Sequence, residues 1–193
     1  MQNLIFATNN EHKINEIRLQ LGTKIPLITL KEAGINIDIP EPHATLAENA
    51  LEKSKTIAAL TGKNCFSEDT GLEVVALNGE PGVKSARYAG EGKSSEYNMD
   101  KLLENLAENP NRQAQFKTVI SLLLDGREYL FEGTCPGKIA LSRAGRKGFG
   151  YDPIFIPDGY SQTFAEMTMA EKAAISHRGK AVKQLVDFLQ KMG

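Results

Sequence analysis

Two adjacent carboxylates open the question of chemistry. Glu68 and Asp69 stand in the run Ser67-Glu68-Asp69-Thr70-Gly71. Asn64-Cys65-Phe66 leads into it, and Leu72-Glu73-Val74-Val75-Ala76-Leu77 leads out, rich in the branched residues of a buried strand. An unpaired carboxylate is costly to bury, so the pair is expected at a strand end. Beside the Thr70 hydroxyl and a flexible glycine, such an end suits a hard cation such as Mg²⁺. It reads equally as a solvated acidic turn capped by Thr70. Glu41, between Pro40 and Pro42 in an extended, stiff segment, is either a further acid of the same kind or an ordinary loop acid.

Three other stretches carry groups of complementary type. Thr8-Asn9-Asn10-Glu11-His12-Lys13 lies between an apolar run and a helical pattern. Free backbone N–H groups and the positive dipole end gather at such a junction, which suits a phosphate. Thr8, Asn9 and Asn10 add side-chain donors and Lys13 a charge. The same residues make an Asn-rich helix cap. Gly148-Phe149-Gly150-Tyr151-Asp152-Pro153 lacks both GxxxxGK[ST] and GxGxxG. Its glycines allow close backbone approach, Phe149 and Tyr151 offer flat faces for a base, and Asp152 accepts a hydrogen bond. Alternatively it is a basic loop whose aromatics tuck into the core. Lys172, His177 and Arg178 place three donors in seven residues beside a helix start, which suits an anion or a carbonyl-rich ligand. Phosphate, divalent metal, flat ring and carbonyl acceptors together describe a nucleoside triphosphate with Mg²⁺.

The elements that must hold these groups follow from periodicity. Leu4-Ile5-Phe6-Ala7 reads as a buried strand. Ile14, Ile17 and Leu21 fall at helical spacing before Gly22. Leu27-Ile28-Thr29-Leu30 reads as a second strand, and the alternating Ile35-Asn36-Ile37-Asp38-Ile39 as a third. Thr45-Leu46-Ala47-Glu48 is a capping box that opens a helix with an apolar stripe of Ala47, Ala50, Leu51, Ile57 and Ala58. That stripe leaves Lys53 and Lys55 on a solvated face. Asn78-Gly79 turns the chain, and Ser94 caps a helix carrying Met99, Leu102, Leu103 and Leu106. Residues 114–124 and 127–134 form a hairpin about Asp125-Gly126. Tyr129 and Phe131 alternate there with Glu128 and Glu132, a face left exposed or covered by a partner. Ile154-Phe155-Ile156 is a short strand, Thr168-Met169-Ala170-Glu171 a second capping box, and Val182, Leu185, Phe188, Leu189 and Met192 the stripe of a last helix.

Composition bounds the rest. With 193 residues, 41% of them hydrophobic, the chain fits one domain or one domain with a lobe. A formal net charge of −1 suggests neither a nucleic-acid groove nor an anionic membrane surface. Cys65 and Cys135 form no CxxC pair, which points to a reducing, cytoplasmic setting. The start Met1-Gln2-Asn3-Leu4 has no basic region followed by a long apolar one, so it reads as no signal peptide. No apolar run approaches the ~20 residues of a membrane span.

Six motifs then occur in one order: Thr8-x-Asn10-x-x-Lys13, Glu48-Asn49-Ala50, Glu68-Asp69-Thr70-Gly71-Leu72, Pro81-Gly82 with Ser85-Ala86-Arg87-Tyr88, Gly148 to Pro153, and Ser176-His177-Arg178-Gly179. With these the chain closely resembles the inosine triphosphate pyrophosphatase family, also described as XTP/dITP diphosphatases, from residue 4 to about residue 189. The resemblance implies an α/β fold with a long twisted mixed sheet flanked by helices, and a single domain over 1–193 with two lobes and a central substrate cleft. It implies Mg²⁺-dependent hydrolysis of ITP, dITP and XTP to the monophosphate and pyrophosphate, by a homodimer. By motif, Thr8, Asn9, Asn10, Glu11, His12, Lys13 and Lys53 would hold the triphosphate. Glu41 and Asp69 would bind metal, with Asp69 also the proton acceptor. Thr70 would contact substrate, and Phe149, Gly150, Tyr151, Asp152, Lys172, His177 and Arg178 would hold the base and nearby groups. Many relatives carry two Asp before a Ser where this chain has Glu68-Asp69-Thr70, which leaves the role of Glu68 open. Relatives often carry Gly and Phe after Glu41, where this chain has Pro42-His43-Ala44-Thr45-Leu46. Two other functions stay open: a pyrophosphatase for pyrimidine or modified nucleotides, and a non-catalytic nucleotide sensor.

Overall fold

The apolar run at Leu4 becomes strand β1, Leu4–Phe6, buried throughout in the computed structural model, which describes residues 3–22 and 25–192. Met1 and Gln2 of the N-terminal stretch lie outside the described residues. β1 pairs in parallel with β2, Leu27–Thr29, and with β3, Cys65–Val74. A strand between two parallel neighbours is covered on both faces, which is why it reads as an unbroken apolar run. One mixed sheet of seven strands orders as β2-β1-β3-β5-β6-β7, where β5 is Gln113–Leu124, β6 is Arg127–Ile139 and β7 is Phe155–Pro157. β4, Pro81–Gly82, pairs antiparallel with β3 off that path. The helices are α1, Glu11–Leu21; α2, Leu46–Thr61; α3, Ser95–Leu106; α4, Met169–Ile175; and α5, His177–Met192.

The chain clusters into two units. The first comprises the residues up to Asp69, Thr118–Gly133 and the chain from Arg178 on. Here Leu4 and Phe6 of β1 join a core with Ile14, Ile17 and Leu21 of α1 and Ala181, Val182 and Leu185 of α5. Ile5 and Ala7 join a second core with Ile57 of α2 and Cys65. Successive β1 side chains thus serve opposite faces of the sheet. Phe6 stacks on Phe66 at 4.6 Å.

Residues 70–117 and 134–177 form the second unit. Its core gathers Leu72 and Val74 of β3, Met99, Leu102 and Leu106 of α3, and an aromatic group of Phe116, Phe155 and Phe164. β6 and β7 pair with Gly137 opposite Pro157.

Three expectations are corrected. Residues 64–77 form no strand–turn–strand, since β3 runs unbroken through Glu68 to Gly71. Ile35, Ile37 and Ile39 do turn inward against the second core, yet residues 35–39 pair with no strand. Alternation records one-sided burial; it does not by itself supply a ladder. The hairpin face of Tyr129 and Phe131 is met by Phe188 of α5, at 4.5 and 5.4 Å, so this helix covers part of it and leaves both residues half-buried. Of the last stripe, Met192 is exposed. No helix among the described residues is long and apolar enough to cross a membrane.

Candidate active site

Chain geometry separates the two carboxylates that adjoin in sequence. Side chains alternate across a strand, so Glu68 and Asp69 of the unbroken β3 serve opposite faces. Each meets its own set of cations within the first unit.

Glu68 is fully buried and takes three ion-pair contacts. Its Oε1 lies 3.0 Å from Lys13 Nζ and 3.1 Å from Arg178 Nη2, and its Oε2 lies 2.9 Å from Arg178 Nε. Arg178 Nη1 reaches Glu16 Oε2 at 2.5 Å. Burial would raise the Glu68 carboxyl, but the charges of Arg178 and Lys13 outweigh it and hold it well below its ordinary value. Burial likewise works against the Arg178 charge, and Glu68 and Glu16 overcome it, so its pKa is raised. Glu16 has no motif to mark it. The one signal is its place between Ile14 and Ile17, on the side of α1 that packs inward.

Asp69 belongs to a different set. Lys53 Nζ lies 2.9 Å from Asp69 Oδ1 and 2.6 Å from Glu41 Oε1. Lys53 is 7% exposed, which corrects the solvated-face reading. Burial opposes its charge, and the Asp69 and Glu41 carboxylates more than restore it, so its pKa is raised. For Asp69 burial wins. It pushes the carboxyl above its ordinary value of 3.8 against the pull of Lys53 and Lys13, and the Glu41 charge adds to the rise.

The loop after β1 forms the helix cap in full. Thr8 Oγ1 accepts from the Asn10 N–H at 3.2 Å, and Asn10 Oδ1 accepts from the Lys13 N–H at 3.2 Å. The Asn9 amide donates to Ile37 O at 2.9 Å. Glu11 and His12 are exposed on the first turn of α1. A cap made this way leaves Lys13 at the helix start with its ammonium against Glu68.

The second unit holds the aromatic and donor groups. Asp152 Oδ2 accepts from Lys172 Nζ at 2.6 Å and from the Phe149 N–H at 2.9 Å. Lys172 Nζ lies 5.0 Å from the Phe149 ring centroid and 5.4 Å from that of Phe164. The His177 ring stacks on Phe116 at 4.5 Å with a 16° tilt and is 2% exposed. Thr70, half-buried, is the first residue of this unit along β3. Lys172 sits in α4, whose capping box is closed from both sides by Thr168 and Glu171.

Two of the expected base-holding residues are placed otherwise. Tyr151 follows the core reading: it is 4% exposed, its hydroxyl donates to Ser85 O at 2.8 Å, and burial raises its phenol. Arg178 was expected to act with Lys172 and His177. Its guanidinium is instead engaged by Glu68 and Glu16 of the first unit. A guanidinium beside two buried carboxylates is drawn to them more strongly than to any neutral acceptor.

Gly148 makes the Asp152 arrangement possible. Its φ is +75°, and a Cβ there would overlap Asp152 Oδ2. At Gly150, also at positive φ (+63°), a Cβ would meet nothing within 4 Å. Both Gly148→Ala and Gly150→Ala are expected to lose ~1–3 kcal/mol of stability through backbone strain at positive φ, and Gly148→Ala clearly more, because its Cβ also displaces Asp152. Urea denaturation of both variants measures this, and equal losses would show that Asp152 is not held as described.

The fold and these groups define a mixed α/β protein with buried cation–carboxylate contacts in its first unit and an aromatic–donor group in its second. The Ham1 family model matches residues 4–188. The chain belongs to the Ham1 family. It is 50% identical to a dITP/XTP pyrophosphatase of Flavobacterium psychrophilum, over 97% of this chain and 98% of that one. It is 52% identical to a dITP/XTP pyrophosphatase of Porphyromonas gingivalis, over 98% of each chain. Its fold matches the structure of the Staphylococcus aureus Ham1 protein with a TM-score of 0.90, at 41% identity and over the whole of both chains. These findings bear out the resemblance carried by the six motifs, and the α/β fold it implies.

Proposed function

We propose that the protein is a nucleoside triphosphate pyrophosphohydrolase, acting on dITP and XTP and, with them, ITP. One observation carries this reading. Asp69 and Glu41 converge on the single ammonium of Lys53, in a chain half of whose residues are shared with a dITP/XTP pyrophosphatase. The reaction cleaves the anhydride between the α- and β-phosphates, water supplying the oxygen. Products are the nucleoside monophosphate and pyrophosphate.

The residues fit Mg²⁺. Two carboxylate oxygens that share one ammonium, at 2.6 and 2.9 Å, can also face one small cation. Among the described residues no group of three or more His, Cys, Asp or Glu side chains gathers to cage a metal. That suits Mg²⁺, which keeps several waters and takes one or two carboxylates together with substrate phosphates. When bound, the ion neutralises the triphosphate and polarises its oxygens. Asp69, raised above its ordinary value, accepts the proton of the attacking water. Lys53 and Lys13 supply positive charge for the phosphates, with the α1 start beside them. Glu68, itself fixed by Arg178, holds Lys13 in place.

The base falls to Phe149, Asp152, Lys172 and His177. Donors turned to a 6-oxo purine meet its O6 and N7 acceptors, whereas ATP presents a 6-amino donor. Unpaired buried donors would cost ~1–3 kcal/mol each, so ATP is expected to be cleaved far more slowly. The two units are read as lobes of one domain, the protein as a homodimer, and its setting as the cytoplasm. Both cysteines are buried, and burial pushes the Cys65 thiol up to about 12, out of easy reach of oxidation.

Pyrophosphate release over a panel of ITP, dITP, XTP, ATP, GTP and pyrimidine triphosphates tests the reading. Release is expected from the first three with Mg²⁺ and from none in excess EDTA. Comparable rates for ITP and ATP would overturn the selectivity. Full activity in EDTA would overturn the metal. Tight binding with no release would make the protein a sensor.

A further inference from the structure

The loop that carries Glu41 is tied down by a residue that the proposed chemistry does not use. Asn49, in the second turn of α2, is 1% exposed. Its Oδ1 accepts the His43 N–H at 2.9 Å and its Nδ2 donates to the His43 carbonyl at 3.2 Å. One buried amide thus satisfies both backbone groups of a single loop residue. His43 lies two residues beyond Glu41, and Pro40 and Pro42 stiffen the backbone between. Lys53 is four residues further along α2, hence on the same helix face as Asn49. That side of α2 holds the loop by its backbone through Asn49 and by its carboxylate through Lys53 at 2.6 Å, while Glu52 meets the His43 ring at 3.4 Å.

The contacts through Asn49 and Lys53 differ in kind. Residues 35–45 pair with no strand, so no ladder fixes the height of Glu41 beside β3. The ion pair to Lys53 cannot fix it either, because an ammonium offers three rotatable donors on a flexible stem. A planar amide bonded to both the N–H and the C=O of one residue fixes the two peptide planes on either side of it.

We propose that Asn49 is a positioning residue for divalent-cation binding. It clamps the backbone at His43 so that Glu41 stands opposite Asp69 before the cation arrives. The inference rests on the reading of Glu41 as a cation ligand given above. Removing the clamp leaves both carboxylates in the protein but lets one of them wander, so affinity for the cation falls while Asp69 keeps its surroundings.

The test uses the nucleotide-free enzyme and Mn²⁺ alone, its binding followed by water-proton relaxation, with backbone amide exchange at His43 as a second readout. Asn49→Ala is expected to weaken Mn²⁺ by about tenfold or more, as outer residues of metal sites commonly do, and to speed exchange of the His43 amide. Ser54→Ala is the control. Ser54 is equally buried on α2 and bonds to Ser121 and the Leu51 carbonyl, without touching the loop. Its variant is expected to lose stability and keep wild-type Mn²⁺ affinity. Should Asn49→Ala fail to fold, Asn49→Asp carries the test. It keeps the acceptor for the His43 N–H and loses the donor, so its affinity is expected to fall below that of the wild type. Wild-type affinity in the Asn49 variants, with affinity lost in Glu41→Gln, overturns the clamp alone. Wild-type affinity in both overturns the reading of Glu41 and the clamp with it. Equal weakening in Ser54→Ala also overturns the clamp, since any loosening of α2 would then suffice.

Discussion

Asp69→Asn is expected to abolish turnover while giving a protein that is more stable than the wild type at neutral pH. The amide keeps the shape of the side chain and removes its charge. Loss of a general base typically costs ~10²–10⁴ in rate, and a weakened metal site adds to that. The stability gain follows from the sign of the shift. Burial lifts the folded pKa of Asp69 above 3.8, so the folded protein holds this proton more tightly than the unfolded chain does. Stability from the protonated form is complete below 3.8 and is lost as the pH rises through the lifted value. That shift already includes the attraction of Lys53, so losing the pair with Lys53 does not reverse it. Asn has no charge to pay for. The variant's advantage in Tm should be absent near pH 3.8 and grow toward pH 7. A variant with most of the wild-type kcat would sink the role of Asp69. A variant less stable at pH 7 than the wild type would sink the claim that burial outweighs the ion pair.

The parts of the fold that were legible in the sequence are those where local pattern and burial agree. β1 and α1 follow from Leu4-Ile5-Phe6-Ala7, the helical spacing of Ile14, Ile17 and Leu21, and the Gly22 stop, observed at φ +56°. The Thr168 box closes as expected. The Thr45 box is met differently: Glu48 turns its carboxylate to the Thr45 hydroxyl. At 67–71 the reading failed because a glycine and two acids look like a turn. Once Glu68 is fixed by Arg178 and Lys13, and Asp69 by Lys53, their burial is affordable and the strand continues.

Site residues divide in the same way. Lys13, Asp69 and Asp152 stand in motifs and Lys172 in the donor cluster, and each meets an oppositely charged group in the structure. Glu16 acts through a partner at a separation that no local pattern encodes: it meets Arg178, 162 residues away. Lys53 looked solvated because helical periodicity assigns it by sequence neighbours, whereas Glu41 and Asp69 reach it from a loop and a strand. The donor cluster at 172–178 misled for a related reason. Nearness in sequence placed Arg178 with Lys172, and charge took it to Glu68.

Arg178→Met is expected to lose ~3–5 kcal/mol of stability, the usual result of removing one partner from a buried ion pair. It takes the guanidinium from Glu68, which is fully buried and keeps Lys13, and from Glu16. Met fills similar volume, so the loss reports charge rather than a cavity. Its pH dependence has a definite sign. The folded pKa of Glu68 is depressed below 4.5, so its contribution is present above 4.5 and fades as the pH falls below it. In the variant that contribution is largely gone. The gap between wild type and variant is therefore widest at neutral pH, begins to narrow only below 4.5 and closes as the pH falls through the depressed folded pKa. A double-variant cycle isolates the pair. Glu68→Gln combined with Arg178→Met is expected to be more stable than Arg178→Met alone, since the uncompensated charge has been removed. Urea midpoints at pH 7 and well below pH 4.5 for the four proteins supply the measurement. If Arg178 instead read the base, its loss would change preference among nucleotides and leave stability nearly untouched. Additive losses in the cycle, or a gap that does not change with pH, would refute the ion-pair account and return Arg178 to the base.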